Sequence, residues 1–257
     1  MLIAYFFGEE DDDGYLPFAW NNAVGMKEVF QKAKVEGQRY DIAGPYGDMS
    51  KAQLFSAIDR QFANATQDDV SILYICAHGY ASFGVSGEYA FAVDRTHFVT
   101  GSELMSRLEK IPGKVVLVLD SCHSGGFIDT NATRLESENG RIAVIASSHR
   151  STVSSYWNVT QRQTSVDFYT YALLQGFGFN EAEGIGGARG WIANAGLYAD
   201  QLGDGDGQVT LREWFDFAYT QTVELVKKWK NQAQFRGSST QVPQSFFGAL
   251  MDLVLFG

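Results

Sequence analysis

The chain has 257 residues, 45% of them hydrophobic, with a formal net charge of −10 and a sequence pI of about 4.8. Such a chain can bury a sizeable core without cross-links; two cysteines cannot build a disulfide framework, and together with four scattered histidines they show no zinc-ligand spacing. The acidic balance argues against nucleic acid or an anionic membrane as partner, and no apolar segment approaches the roughly 20 residues of a membrane span.

Met1 to Gly8 runs into acids and lacks a basic n-region, so no export signal is read and a cytoplasmic location is expected; a trimmed precursor would have lost that signal. Leu2 to Phe7 reads as a first core strand and leads into an acidic loop, Glu9 to Gly14. Phe18 to Phe30 carries Trp20, Val24, Val29 and Phe30 near helical spacing, with Asn21 or Asn22 as N-cap. Tyr40 to Ala43 is a weak second strand. Asp48-Met49-Ser50 then precedes Leu54, Phe55, Ile58 and Phe62, a helical pattern. This β-α-β-α order predicts a parallel sheet covered by helices.

Val70 to Cys76 is a largely apolar run ending in Ala77-His78-Gly79, followed by a loop over Tyr80 to Glu88 and a short strand over Tyr89 to Val93. Thr100 and Glu103 stand at capping-box spacing before a helix over Leu104 to Leu108. After Pro112-Gly113, Val115 to Leu119 reads as a strand buried on both faces. It stops at Asp120-Ser121-Cys122-His123, ahead of a Ser-Gly-Gly turn. Asp129 to Arg141 reads as a polar loop, and Ile142 to Ala146 as a further core strand that ends in Ser147-Ser148-His149. Val166 to Leu174 is helical in pattern, Gly176 to Gly190 is Gly-rich, and Leu211 to Lys228 has helical periodicity. Ser238 to Gln244 is an extended loop, and Ala249 to Phe256 a closing strand or tail. With no internal repeat, one domain over 1–257 is expected.

Three strands thus bring small polar or catalytic-type residues to one edge, the edge at which open α/β sheets bind ligands. A cysteine nucleophile needs a base to generate its thiolate and backbone N–H donors for the oxyanion. Cys122, His78 and the side-chain-free approach over Gly79 can supply these. Taken singly, Cys122 reads equally as a small core hydrophobe and His78 as a hydrogen-bonded edge residue.

Together, Asp120-Ser121-Cys122-His123-Ser124-Gly125-Gly126 after a buried strand, with Ala77-His78-Gly79 after an earlier one, resemble the caspase-like cysteine peptidases. Metacaspases and bacterial caspase-family proteins are the nearest likeness, clostripain and legumain more distant ones. The resemblance implies a three-layer α/β/α sandwich with a mostly parallel central sheet, and a cysteine endopeptidase working through an acyl-enzyme. It implies Cys122 as nucleophile, His78 as base and then acid, and the N–H groups of Gly79 and Cys122 as oxyanion hole. No cofactor is required for that chemistry. In the basic-specific members the acidic residue two before the cysteine lines the S1 pocket, and Asp120 stands there. Substrates are accordingly expected to be peptides or proteins with Arg or Lys at P1, a charge argument that also disfavours P1 Asp. Asp120 can also be read as a strand-end cap. Ser147 and Ser148 are expected to edge the substrate cleft, or to be solvated strand ends. His123 should project away from the site. Many members carry Ser-Gly-His-Gly where this chain has Cys76-Ala77-His78-Gly79, so Cys76 is either packing or a thiol able to perturb the site.

Counted against an EF-hand loop, Asp204, Asp206, Gly207 and Glu213 take positions 3, 5, 6 and 12, with Leu202 at position 1 unless Asp200 reaches in. Calcium at Asp200, Asp204, Asp206 and Glu213 is one reading, and a Gly-rich turn capping the next helix the other. The 129–141 stretch reads either as an ordinary surface loop or, since caspase-like enzymes often mature by cutting near this region, as a self-cleavage segment cut after Arg134, with Arg189 as rival site; the acidic run Glu9 to Asp13 reads either as a solvated loop or as a means of steering basic substrates. The alternative to a peptidase is an inactive caspase-fold module that binds a partner in response to calcium. Oligomeric state is left open.

Overall fold

The computed structural model describes residues 1–6, 15–16, 18–157, 167–178 and 196–257. Six strands form the central sheet, in spatial order Gln244–Phe246, Ile142–Ala146, Lys114–Asp120, Val70–Cys76, Leu2–Ala4 and Tyr46–Gly47. All neighbours pair in parallel except Gln244–Phe246, which closes one edge antiparallel to Ile142–Ala146.

Alternation along these strands explains the layers. Leu2, Ala4, Tyr74, Cys76, Val116, Val118, Ala143 and Ile145 face a core shared with helices α1 (Ala19–Lys32), α5 (Phe168–Gly176) and α7 (Leu211–Trp229). Ile3, Leu73, Ile75, Leu117, Leu119 and Val144 face the other way, against α2 (Lys51–Gln61), α3 (Gly101–Leu108) and α4 (Gly125–Ser137). Strands buried on both sides need apolar residues at every position, which is why these runs show no polar alternation. The result is the expected α/β/α sandwich, with the short helix α6 (Tyr198–Leu202) beside α7. Capping boxes start α2 at Ser50, α3 at Thr100 and α7 at Thr210, each satisfying N–H groups that the first turn leaves open.

Several boundaries differ from expectation. The second sheet strand is Tyr46–Gly47, not 40–43. Gly79–Phe83 is a strand, not loop, and forms a three-stranded antiparallel sheet with Glu88–Ala92 and Phe98–Thr100. Helix α1 begins after Phe18, so Asn21 and Asn22 lie inside it rather than capping it. The polar stretch after Cys122 is mostly helix α4, whose polar residues lie on its outer face apart from the buried Asn131. The acidic run at Glu9 to Asp13 and the glycines around Arg189 lie outside the described residues.

Candidate active site

Register places the two chemical groups. The Val70–Cys76 and Lys114–Asp120 strands are neighbours, with Cys76 opposite Asp120, and the Ala77 N–H donates to the Asp120 carbonyl at 3.1 Å. His78 and Cys122 are each two residues beyond that last pair, so the same sheet edge carries both. Contact between the segments is close: a Cβ built on Gly79 would stand 1.9 Å from the Cys122 carbonyl oxygen and 2.7 Å from Ser121 Oγ. The His78 carbonyl is held by the Ala92 N–H at 2.9 Å, which ties this segment to the small antiparallel sheet.

Cys122 is half-buried at the turn ahead of α4. Burial pushes its thiol up from the usual range, a backbone N–H from Ser154 opposes this, and the Asp120 carboxylate adds to the rise. Cys122 therefore rests as a thiol rather than a thiolate. His123 has a left-handed backbone, φ 60°; its N–H donates to the Thr152 carbonyl and its Nδ1 contacts the Arg150 carbonyl at 2.8 Å, so its ring is engaged away from the thiol.

Ser147 and Ser148, expected to edge the cleft, are fully buried instead. The Ser147 hydroxyl accepts from the Ser121 N–H and donates to the Ser121 carbonyl, both at 3.0 Å, while the Ser148 hydroxyl donates to the same carbonyl at 3.0 Å. Ser124 Oγ and Ser148 are also bonded, and Gln241 Nε2 holds the Ser147 carbonyl at 2.8 Å. The physical reason is the parallel pairing of Ile142–Ala146 with Lys114–Asp120, which sets these serines beside the turn at Ser121 and Cys122. Their hydroxyls satisfy backbone groups that the turn cannot pair by itself. They clamp the backbone of Ser121, next to Cys122.

Asp120 projects to the α1/α5 side, where it is 2% exposed. Thr170 Oγ1 donates to it at 2.6 Å, and Tyr74 bonds Thr170 at 2.8 Å. Beside it lies Asp167, the N-cap of α5, which accepts from the Thr170 N–H at 2.8 Å. The Asn22 amide nitrogen sits among Asp120 (3.5 Å), Cys76 Sγ (3.7 Å) and Asp167, to which it donates a short hydrogen bond. One ligand atom each of Cys76, Asp120 and Asp167 falls within 4.8 Å of the others. Burial pushes the Asp167 carboxyl well above the usual carboxylate range, and the Asp120 charge and hydrogen bond add to the rise. Burial, then both carboxylates, raise the Cys76 thiol. Asp167 and Asn22 were missed from sequence because nothing local marks them: they stand 145 residues apart.

A family model for the caspase domain of the C14 peptidases matches residues 3–189, which takes in His78, Cys122 and the strands that carry them. The chain belongs to the caspase-domain family. A search of curated proteins returned no match. Among solved structures, the crystal structure of protein GSU0716 from Geobacter sulfurreducens is similar over 95% of this chain and 90% of that one, at 13% identity and a TM-score of 0.55. At that identity it speaks to fold alone. Family membership supports a cysteine-peptidase-like function for this caspase domain.

The expected self-cleavage and calcium sites meet different surroundings in this caspase domain. Arg134, the expected self-cleavage site, lies within α4, bonded to Glu109 through Nε (2.7 Å) and Nη2 (2.5 Å) and to the Ser102 carbonyl. A helical, tethered arginine does not present the extended backbone that a protease reads, so Arg134 in this conformation is not a cleavage site. In the Gly-rich loop, Asp200, Asp204 and Asp206 do gather. Glu213 is engaged otherwise: its carboxylate caps α7 through the Thr210 N–H (2.9 Å) and accepts from the Asp204 N–H (3.2 Å). Those bonds match the helix-capping reading of the loop. Among the described residues, no helix of this caspase domain is long and apolar enough to cross a membrane.

The buried acid pair carries a stability prediction. Asp167 ionises at a higher pH in the folded chain than in the unfolded one. Its favourable contribution is thus complete below the unfolded value, near 4, and is lost as pH rises toward the folded value. Asp167→Asn keeps the acceptor for the Thr170 N–H and removes the like charge. The variant is expected to unfold at higher denaturant than the parent by about 1 kcal/mol at pH 8, with the gap closing toward pH 4. Urea titrations at the two pH values check this, and an equal gap at both would contradict it.

Proposed function

We propose that this caspase domain is a cysteine endopeptidase that cleaves after Arg or Lys. The observation that supports it most is the register: with Cys76 opposite Asp120, the histidine and the cysteine stand at the same step beyond two paired strands. His78 takes the thiol proton as a substrate carbonyl arrives, and the Cys122 sulfur attacks the carbonyl carbon. The N–H groups of Gly79 and Cys122 donate to the developing oxyanion, and the close contact of Gly79 with the Cys122 backbone is the packing that such a pair needs. His78 then protonates the departing amine, leaving a thioester on Cys122. Water, deprotonated by His78, releases the acid and restores the thiol. Asp120, two residues before the nucleophile and buried, offers a carboxylate to a basic P1 side chain and repels an acidic one.

The test is a panel of fluorogenic peptides differing only at P1, as Arg, Lys, Asn or Asp, assayed with and without calcium, together with labelling of Cys122 by an arginine-directed electrophile. Cleavage of the Arg and Lys peptides, at least about 10-fold above the Asp peptide, is the expected outcome. Cleavage after Asp alone would remove the role given to Asp120. No cleavage and no labelling would leave the inactive, partner-binding reading of the fold.

A further inference from the structure

Deepening the peptidase reading, we infer that Gln241, in the C-terminal third of the chain, is a positioning residue for Cys122: its single amide ties together both ends of the loop beside the thiol and so aims the Ser154 N–H at the sulfur. Gln241 is buried, 2% exposed, and both ends of its amide are used. Nε2 donates to the Ser147 carbonyl and Oε1 accepts from the Ser155 N–H, each at 2.8 Å. These two residues bound the loop that leads from the Ile142–Ala146 strand to Tyr156–Trp157. One side chain thus fixes the width of that loop while satisfying two buried backbone groups.

The tied ends are the ones that meet Cys122. Ser147 holds both backbone groups of Ser121, the residue before the thiol. Ser154, the residue before Ser155, donates its N–H to the Cys122 sulfur, and its hydroxyl bonds that of Ser147 at 2.6 Å. The segment that carries Gln241 is itself seated on the loop. Phe235 and Arg236 pair with Trp157 and Tyr156, and the Ser155 hydroxyl donates to the Ser238 carbonyl at 2.9 Å. Gly237, with φ 115°, lies so close that a Cβ there would stand 2.3 Å from the Ser154 carbonyl oxygen.

A thiolate gains more than a thiol from an N–H donor, so the Ser154 contact counts most when the proton leaves. It works with the Cys122 N–H against burial and the Asp120 charge. The other ionisable groups facing the sulfur are Tyr89 and Tyr156, with His78 across the sheet edge and His123 turned to the Arg150 carbonyl. Gln241 is neutral, so replacing it by another neutral residue leaves all of these charges as they are and alters only where the Ser154 N–H points. Asparagine is one carbon, about 1.5 Å, too short to keep both hydrogen bonds, and methionine keeps the length but makes neither.

The test follows the thiol itself, on the full chain. Alkylation of Cys122 by iodoacetamide across a pH series, read on the Cys122 peptide by mass spectrometry so that the buried Cys76 does not enter, gives the midpoint of its ionisation. Gln241→Asn should raise that midpoint by about 0.5 unit or more, and Gln241→Met by about 1 unit or more. Leu54→Ala, which opens a cavity in the opposite layer, should lower the urea midpoint and leave the thiol unmoved, which separates positioning from general loosening. On a P1-Arg peptide, Gln241→Asn should lose about 10-fold in kcat with KM held within about twofold. A thiol midpoint that stays or falls in folded Gln241→Asn overturns the assignment and leaves the peptidase reading standing. An equal rise in Leu54→Ala, or a loss carried by KM alone, overturns it as well. A raised midpoint in a protein that cleaves no peptide supports the assignment and removes the peptidase reading instead.

Discussion

Alanine in place of either Cys122 or His78 is expected to lower kcat/KM on a P1-Arg peptide by roughly 10³-fold or more, and the double variant is expected to be no worse than the poorer single one. Groups that act on one proton and one sulfur form a unit, so their losses do not add. The argument is stronger here than for a preformed ion pair. Burial and the Asp120 charge push the Cys122 thiol up, opposed by backbone N–H groups of Ser154 and of Cys122 itself. Without His78 no thiolate is produced at neutral pH, and without Cys122 there is nothing for His78 to activate. A small substitution at the half-buried Cys122 should leave the fold intact, which a melting curve checks. Losses that add on a logarithmic scale, or a His78→Ala protein within tenfold of wild type, would show that the two residues do not work as a pair.

The parts of this molecule that could be read from sequence are those whose physics is local. Val115 to Leu119, Ile72 to Cys76 and Ile142 to Ala146 announce themselves because a strand buried on two faces must be apolar at every position. Thr100 with Glu103 announces a helix start because both halves of a capping box sit three residues apart. His78 and Cys122 could be placed at one sheet edge because each lies two residues beyond the end of a buried strand. What stayed hidden depends on distant partners. Gln244–Phe246 is three residues of mixed polarity, and only the free edge of Ile142–Ala146 makes it a strand. Ser147 and Ser148 looked like solvated or cleft-edge residues because a strand end does not say which backbone lies over it; parallel pairing puts the nucleophile turn there. Asn22 reads as a helix cap by type, yet it faces inward from the second turn's side of α1 to meet two carboxylates. The polar stretch after Cys122 looked like a loop because α4 presents its charges, Arg134 among them, to neighbouring surface elements rather than to a periodic apolar face.

The clamp under the nucleophile makes a second large effect computable from geometry. Gly79→Ala is expected to destabilise the fold by about 3 kcal/mol and to lower kcat by roughly 10²-fold or more in whatever folds. The new methyl would sit 1.9 Å from the Cys122 carbonyl oxygen and 2.9 Å from its carbonyl carbon, both backbone atoms. A flexible side chain could swing clear, and the Ser121 hydroxyl at 2.7 Å can do so, but the Cys122 carbonyl has little room. The residue before it is held on both backbone groups by Ser147 and again by Ser148, and the residue after it donates to Thr152. On the other side, the His78 carbonyl is fixed by Ala92. The strain must therefore either separate the His78–Gly79 segment from the Cys122 turn or break the serine contacts, and each route moves the sulfur relative to its base. Releasing the clamp should soften the clash: Ser147→Ala combined with Gly79→Ala is expected to lose less stability than the two single costs added together, since one strain is being relieved twice. Urea midpoints for the four proteins and single-turnover rates on the P1-Arg peptide read both quantities. A Gly79→Ala protein with wild-type midpoint and rate would mean that the histidine and cysteine segments are not in this contact, and the placement of the dyad would have to be redrawn.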